Sequence, residues 1–426
     1  MKFNWPFFIS QIQLFFQSKK MFFSYVIQWL FIAVVIGFCI GTASAGFLIS
    51  LDWVTNYREN HLWIIALLPI GGLLIGLLYH YYGKNVVAGN HLLFDTIQEP
   101  KAIILFRMAP FVYLGTIVTH LLGGSAGREG TAIQMAGAIA DQFSKPFRLS
   151  TEERRILIIA AIAAGFGSVF GTPLAGAVFG LEVFLVGRIR YNAIFPAFVA
   201  AFFADWVTRA WNAPHTHYVV SFVPGISPTT LFYSIIAGIA FGLCARLFTQ
   251  SMHRLTSFVT KKISFSPLRP FLGGILIAAV VFAIGTTKYI GLGVPIIESA
   301  FHHELPPYDF LLKLLFTVVT LSVGFKGGEV TPLFFIGATL GNALAFVFPL
   351  PIGLLSGMGF VAVFAGATKT PIACFLMAIE LFGMESAVYT AIACIVAYLV
   401  SGKGSIYQNQ KLGRQKFSWM QHFTKK

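Results

Sequence analysis

Apolar segments follow one another along nearly the whole chain, at about 21–51, 62–82, 103–122, 131–143, 156–170, 173–187, 193–211, 230–250, 270–286, 310–325, 332–348, 352–366, 371–384 and 386–401. Several are shorter than the ~20 helical residues needed to cross ~30 Å of hydrocarbon. Glycines separate them: Gly123-Gly124, then Gly165, Gly167 and Gly171, then Gly327-Gly328. A helix that stops inside a bilayer must end where protein or a water-filled cavity satisfies its open backbone groups. The sequence therefore predicts an all-α polytopic membrane protein with broken, strongly tilted helices, the architecture of a transporter. The alternating ~10-residue strands of a membrane barrel are not visible. Only 11% of the 426 residues are charged, against roughly 25% in a soluble domain. A water-facing surface cannot be built from so few.

The net charge is +14, and the Lys and Arg residues are concentrated. They occupy the N-terminus (Lys2, Lys19, Lys20), the segment 144–155, the segment 253–270 and the tail from Lys403 to Lys426. Read by the positive-inside rule, these are cytoplasmic, which puts both termini inside. The basic tail faces anionic lipid, and no nucleic-acid partner is implied. The expected organisation is an N-terminal cytoplasmic segment (1–20), a first membrane repeat (21–225), a second (226–402) and a pore-reaching segment with a basic tail (403–426). The four cysteines (Cys39, Cys244, Cys374, Cys394) are scattered in apolar segments, so they read as packing residues, with no disulfide framework, metal site or cofactor implied. The first apolar segment is too long for a signal peptide and is expected to be retained. No HExxH or nucleophile–base pair appears, so an enzyme is not expected.

The chain repeats itself. Shifted by 200 residues, GREGTAIQMAGA (127–138) lies over GGEVTPLFFIGA (327–338), aligning Gly127 with Gly327, Glu129 with Glu329 and Thr131 with Thr331. Shifted by 198, PLAGAVFGLEVF (173–184) lies over PIACFLMAIELF (371–382), aligning Pro173 with Pro371 and Glu182 with Glu380. Shared composition explains scattered Ala and Gly matches but not two pairs of rare glutamates. Two such halves predict an inverted repeat with a site where they meet near the midplane.

Glu129 opens an apolar helix. A helix N-terminus has free N–H groups and partial positive charge, and so suits an anion. An ionised Glu129 can fill that place itself; protonated or displaced, it leaves the place to a small inorganic anion. An ionisable group within the membrane is costly and is functional by default. Arg128 either helps hold an anion or braces a neighbouring carboxylate or loop. Glu182 and Glu380 read as architectural, bonding a neighbouring helix end. His120 and His217 read as interfacial or core residues. Asn90, in VAGNHLLFDTI (87–97), carries an amide able to donate to an anion.

These motifs resemble the CLC family of chloride channels and proton-coupled antiporters over nearly the whole membrane region. GREG (127–130) resembles its glutamate-gate motif G-K/R-E-G-P, with Thr131 in place of Pro. GEVTP (328–332) stands at the family's G-x-F-x-P anion motif, with Val330 where Phe is usual. Tyr407 resembles the tyrosine that reaches the pore. The first anion motif, G-S-G-x-P, is replaced by AGNHLL (88–93), and the internal proton glutamate of chloride exchangers falls at Val183. These departures resemble the CLC-F branch. The resemblance implies a homodimer in the cytoplasmic membrane, each subunit exporting fluoride in exchange for protons. Glu129 is then the gate and proton carrier, and Glu329 supports proton transfer or stabilises a helix end. Asn90, Gly127, Arg128, Gly130, Val330, Thr331 and Tyr407 are implied along the anion path. A chloride channel or chloride/proton exchanger of the same fold is the alternative. Fluoride is small and strongly hydrated, so it needs strong donors such as backbone N–H, an amide and hydroxyls.

Overall fold

The computed structural model describes residues 5–216, 218–408 and 410–412, with side chains from Phe23 to Gln408 and at Gln410. Lys2, His217 and the tail beyond residue 412 lie outside the described residues, as do the side chains of Lys19 and Lys20.

The described chain forms sixteen α-helices. The first eight are α1 (Trp5–Asn60), α2 (Leu68–Tyr81), α3 (Asn90–Gln98), α4 (Met108–Leu121), α5 (Glu129–Asp141), α6 (Thr151–Phe170), α7 (Pro173–Glu182) and α8 (Ile194–Ala210). The second eight are α9 (Pro228–Lys262), α10 (Leu268–Ile284), α11 (Val294–Ala300), α12 (Asp309–Ser322), α13 (Val330–Leu344), α14 (Ile352–Thr368), α15 (Pro371–Phe382) and α16 (Ala387–Val400). Among the described residues, four helical stretches are long and apolar enough to cross a membrane: Phe23–Asn60, Leu62–Tyr81, Tyr191–Ala210 and Pro228–Lys262. The others are broken pieces, as the spacing of glycines predicts.

The repeat is carried helix by helix. α4 and α12 each have 14 residues, and α5 and α13 have 13 and 15. The breaks match as well. α6 ends on Gly171 at φ 71° and α7 restarts at Pro173; α14 ends on Lys369 at φ 67° and α15 restarts at Pro371. Glycine takes this left-handed conformation freely, whereas Lys369 is strained there. Its ammonium donates to Gly366 O at 2.6 Å and Ser401 Oγ at 2.7 Å, which holds the turn.

The core lies where the two halves meet. α6 is buried at every position from Ile156 to Phe170, and α14 from Gly353 to Thr368. Helices apolar all round belong in the middle of a bundle. The outer helices instead expose large apolar side chains, among them Trp53, Leu74, Phe232 and Leu276, to the surroundings. The glutamates nine residues after the matched prolines cross over. Glu182 accepts from Ala373 N at 3.0 Å and Ile372 N at 3.4 Å, while Glu380 accepts from Leu174 N at 2.9 Å and Ala175 N at 2.8 Å. Each half thus caps a helix start of the other, satisfying N–H groups that have no partner in their own helix.

Four helices depart from the expected pattern. α1 begins sixteen residues before the apolar segment at 21 and runs to Asn60, because nothing in the polar flanks breaks a helix. α9 continues through the basic stretch to Lys262; it is started by a Ser227–Thr230 capping box and stopped before Pro267. The short helices α3 and α11 fall outside every expected apolar segment. One addition to the all-α fold is a two-residue parallel pair, β1 (Leu185–Val186) with β2 (Lys411–Leu412).

Candidate functional site

Two glycine-rich turns meet at the junction of the halves. The turn before α5 and the turn before α13 pair antiparallel: Gly127 N donates to Gly328 O, and Gly328 N donates to Gly127 O. The approach is close because neither strand carries a side chain there; a Cβ on Gly327 would stand 2.5 Å from the Cβ of Ala126. This pairing sets the N-termini of α5 and α13 side by side.

The Glu129 carboxylate is fully buried, and it turns away from its own helix. Oε2 accepts from Thr331 N at 3.0 Å and Arg128 N at 3.1 Å, while Oε1 stands 2.5 Å from Thr331 Oγ1. The sequence points to the N-terminus of α5 as its anion site; the structure puts the carboxylate on the N-terminus of α13, in the other half. The reason is donor supply. Pro332 has no N–H, so Thr331, with one N–H and one hydroxyl, is the strong donor of that first turn.

Arg128 Nε is 3.4 Å from Glu129 Oε1 but makes no hydrogen bond, and its guanidinium lies over the Phe170 ring at 5.9 Å. Its guanidinium thus pairs with the carboxylate by charge alone, while its backbone N–H supplies the hydrogen bond. Thr131, which stands where the motif has Pro, has its hydroxyl 2.7 Å from Thr116 Oγ1.

Below Gly130 the remaining residues converge. A Cβ on Gly130 would stand 3.5 Å from Asn90 Nδ2 and 3.6 Å from Glu329 Oε2. Asn90 is the first residue of α3, after Gly89 at φ 56°. Asn90, Glu329 and Tyr407 line one cavity of about 150 Å³. Asn90 Oδ1, Glu329 Oε2 and the Tyr407 hydroxyl are buried polar atoms without a hydrogen-bond partner among the described residues. Buried polar groups are nearly always paired, so three such atoms mark the cavity as a polar site: the Tyr407 hydroxyl can donate to an anion, whereas Asn90 Oδ1 and an ionised Glu329 Oε2 only accept. The Tyr407 ring is held edge-on by Phe94, 5.2 Å away. Val330 is fully buried and contributes packing.

His120 is a core residue with no exposure. Sequence reasoning passed over Thr116, Gln134 and Lys326. Gln134 and Lys326 line the same cavity. The signal for Lys326 was available: a lysine inside an apolar run, two residues before Gly328.

A bundle of broken helices, two related halves and a buried carboxylate on a crossed helix N-terminus define an ion-transporting membrane protein. The chain belongs to the voltage gated chloride channel family, whose profile matches residues 71–402. It is 54% identical over 398 residues to the chloride/fluoride channel protein of Pseudomonas syringae pv. tomato (strain DC3000), covering 92% of this chain and 88% of that one. Among solved structures it resembles a CLC-type fluoride/proton antiporter, with a TM-score of 0.88 and 34% identity over 90% of this chain and 98% of that one. A slow cyanobacterial Cl⁻/H⁺ antiporter shares the fold, with a TM-score of 0.79 and 21% identity over 89% of this chain and 96% of that one.

Proposed function

We propose that the protein is a fluoride/proton antiporter that exports fluoride from the cytoplasm, working as a homodimer in the cytoplasmic membrane with both termini inside. It is a transporter rather than an enzyme. The observation that carries this reading is the Glu129 carboxylate on the Thr331 N–H and hydroxyl. A side-chain anion there occupies donors that suit a small, strongly hydrated halide. Protonation removes the charge that holds Glu129 in place and frees those donors. Fluoride then takes them, and the proton moves in the opposite direction with the side chain. Glu329, with its unpaired oxygen in the adjoining cavity, supports the proton's passage, a role otherwise unfilled because Val183 carries no acid. The names of the 54% identical relative and of the 34% identical solved structure support fluoride as the substrate.

The test is proton uptake by proteoliposomes driven by an outward fluoride gradient, for wild type and Glu329→Gln. Fluoride-driven uptake that falls in the variant is the expected result. Chloride flux equal to fluoride flux returns the reading to a chloride channel or chloride/proton exchanger.

A further inference from the structure

Lys326 differs from the other deeply placed lysines. Lys313 donates to the carbonyls of Tyr289 and Gly291, Lys369 to Gly366 and Ser401, and Lys288 to Asp309. Lys326 makes no hydrogen bond or ion pair among the described residues; its ammonium rests on the face of the Tyr79 ring, 3.9 Å from the centroid. Tyr79 is itself buried and braced edge-on by Phe111. The stem of the lysine is accommodated by Gly115, where a Cβ would stand 2.8 Å from Lys326 Cγ.

The position is equally particular. Lys326 lines the cavity of about 150 Å³ that contains Asn90, Glu329 and Tyr407, and also a second cavity of about 350 Å³. The second cavity carries Lys84, Arg269 and His80 and no acidic residue. One basic stretch reaches it, 253–270, through Ser266, Arg269 and Pro270, and the positive-inside rule makes that stretch cytoplasmic. Among the described residues, Glu329 is the sole carboxylate on either wall, and it makes no ion pair with Lys326. A charge removed from water and left without an oxygen partner is costly, and an aromatic face offsets only part of that cost. A small anion in the first cavity would supply the missing counter-charge.

We propose that Lys326 holds an inner waiting site for the transported anion, between the basic cytoplasmic cavity and the gate. The Tyr79 ring parks the ammonium when no anion is present. Lys326 therefore sets how well the protein captures anion from the cytoplasmic side, not how fast it turns over. This inference rests on the transport reading above.

The test is the rate of fluoride efflux against internal fluoride concentration, for wild type, Lys326→Met, Lys326→Gln, Lys326→Arg and Lys326→Cys. Lys326→Met and Lys326→Gln are expected to raise KM roughly tenfold, as for loss of one nearby unit charge in a medium of intermediate dielectric, with the maximal rate within about twofold. Lys326→Arg should stay near wild type. Treating Lys326→Cys with a cationic aminoethyl thiosulfonate should restore the low KM, whereas the anionic sulfonatoethyl reagent should not; treated wild type controls for the native cysteines. An unchanged KM in Lys326→Gln, or a fall in maximal rate with KM unchanged, overturns the waiting site. A wild type that moves chloride but no fluoride overturns the substrate assignment instead, and the same series repeated with chloride still decides the role of Lys326.

Discussion

Gly127 and Gly328 exchange both of their backbone hydrogen bonds, at 2.6 Å and 2.7 Å, across the junction of the two halves. A side chain on Gly328 has no room: its Cβ would stand 2.6 Å from Gly130 N. Backbone cannot step aside as a flexible side chain does. Gly328→Ala is therefore expected to abolish fluoride flux and to reduce the yield of monodisperse protein in size-exclusion chromatography. Wild-type flux from this variant would mean that the pairing has slack absent from the structure.

Glu129→Gln keeps the shape of the side chain but removes its charge and its titration. The amide cannot carry a proton, and it competes weakly for the Thr331 donors. Coupled exchange should be lost, so that fluoride moves without proton uptake or stops altogether. Simultaneous fluoride and pH electrodes on one proteoliposome suspension read both; intact coupling in this variant would remove Glu129 from the cycle.

Thr331 has two donors, of which only the backbone one survives in Thr331→Val. Leaving a buried charged acceptor short of one hydrogen bond costs about 1.5–3 kcal/mol, which corresponds to roughly tenfold to a hundredfold weaker anion binding. Fluoride affinity by isothermal titration calorimetry should fall by that factor in Thr331→Val and by far less in Thr331→Ser. Equal losses in both would assign the effect to packing rather than to the hydroxyl.

Glu182 belongs to the architecture. Glu182→Ala strips the acceptor from Ile372 N and Ala373 N. Each buried donor left alone costs about 1–3 kcal/mol. The variant should lose monodispersity at a lower temperature than wild type, while the folded fraction keeps its fluoride/proton ratio. A changed ratio at unchanged thermal behaviour would point to a role for Glu182 in transport.

The buried Asp141–Arg154 pair, with Nε to Oδ1 at 2.7 Å, ties the end of α5 to α6. Breaking a buried pair costs about 3–5 kcal/mol because it strands the other charge. Asp141→Ala should therefore be less stable than the double variant with Arg154→Met, a comparison that differential scanning fluorimetry can make.

Much of this was legible in the residues. The glutamate pairs gave away the duplication, and matched prolines marked where helices restart. Glu182 and Glu380 could be read as bonding helix ends because identical placement in two halves implies a shared structural task. What the sequence could not give was direction. Periodicity says that Glu129 begins a helix, but not that its carboxylate crosses to Thr331, since that depends on how two turns 200 residues apart pair. Asn90 looked little different from a loop asparagine because α3 is short and polar, and only the packed structure brings it beside Glu329. Lys326 was visible as a charge in an apolar run, but its lack of an ion pair among the described residues is a tertiary fact. The far ends of α1 and α9 were missed because polar residues at a membrane surface do not end a helix.

The reciprocal caps of Glu182 and Glu380 restrict how the molecule can operate. Swinging one half against the other by tens of degrees would tear four hydrogen bonds from two helix starts at once. A change of access made by single side chains and short turns at the junction leaves those four bonds intact. A cycle of that kind leaves the outline facing the acyl chains unaltered. Its speed should be nearly indifferent to bilayer thickness and lateral pressure, unlike that of carriers that rock as rigid bodies.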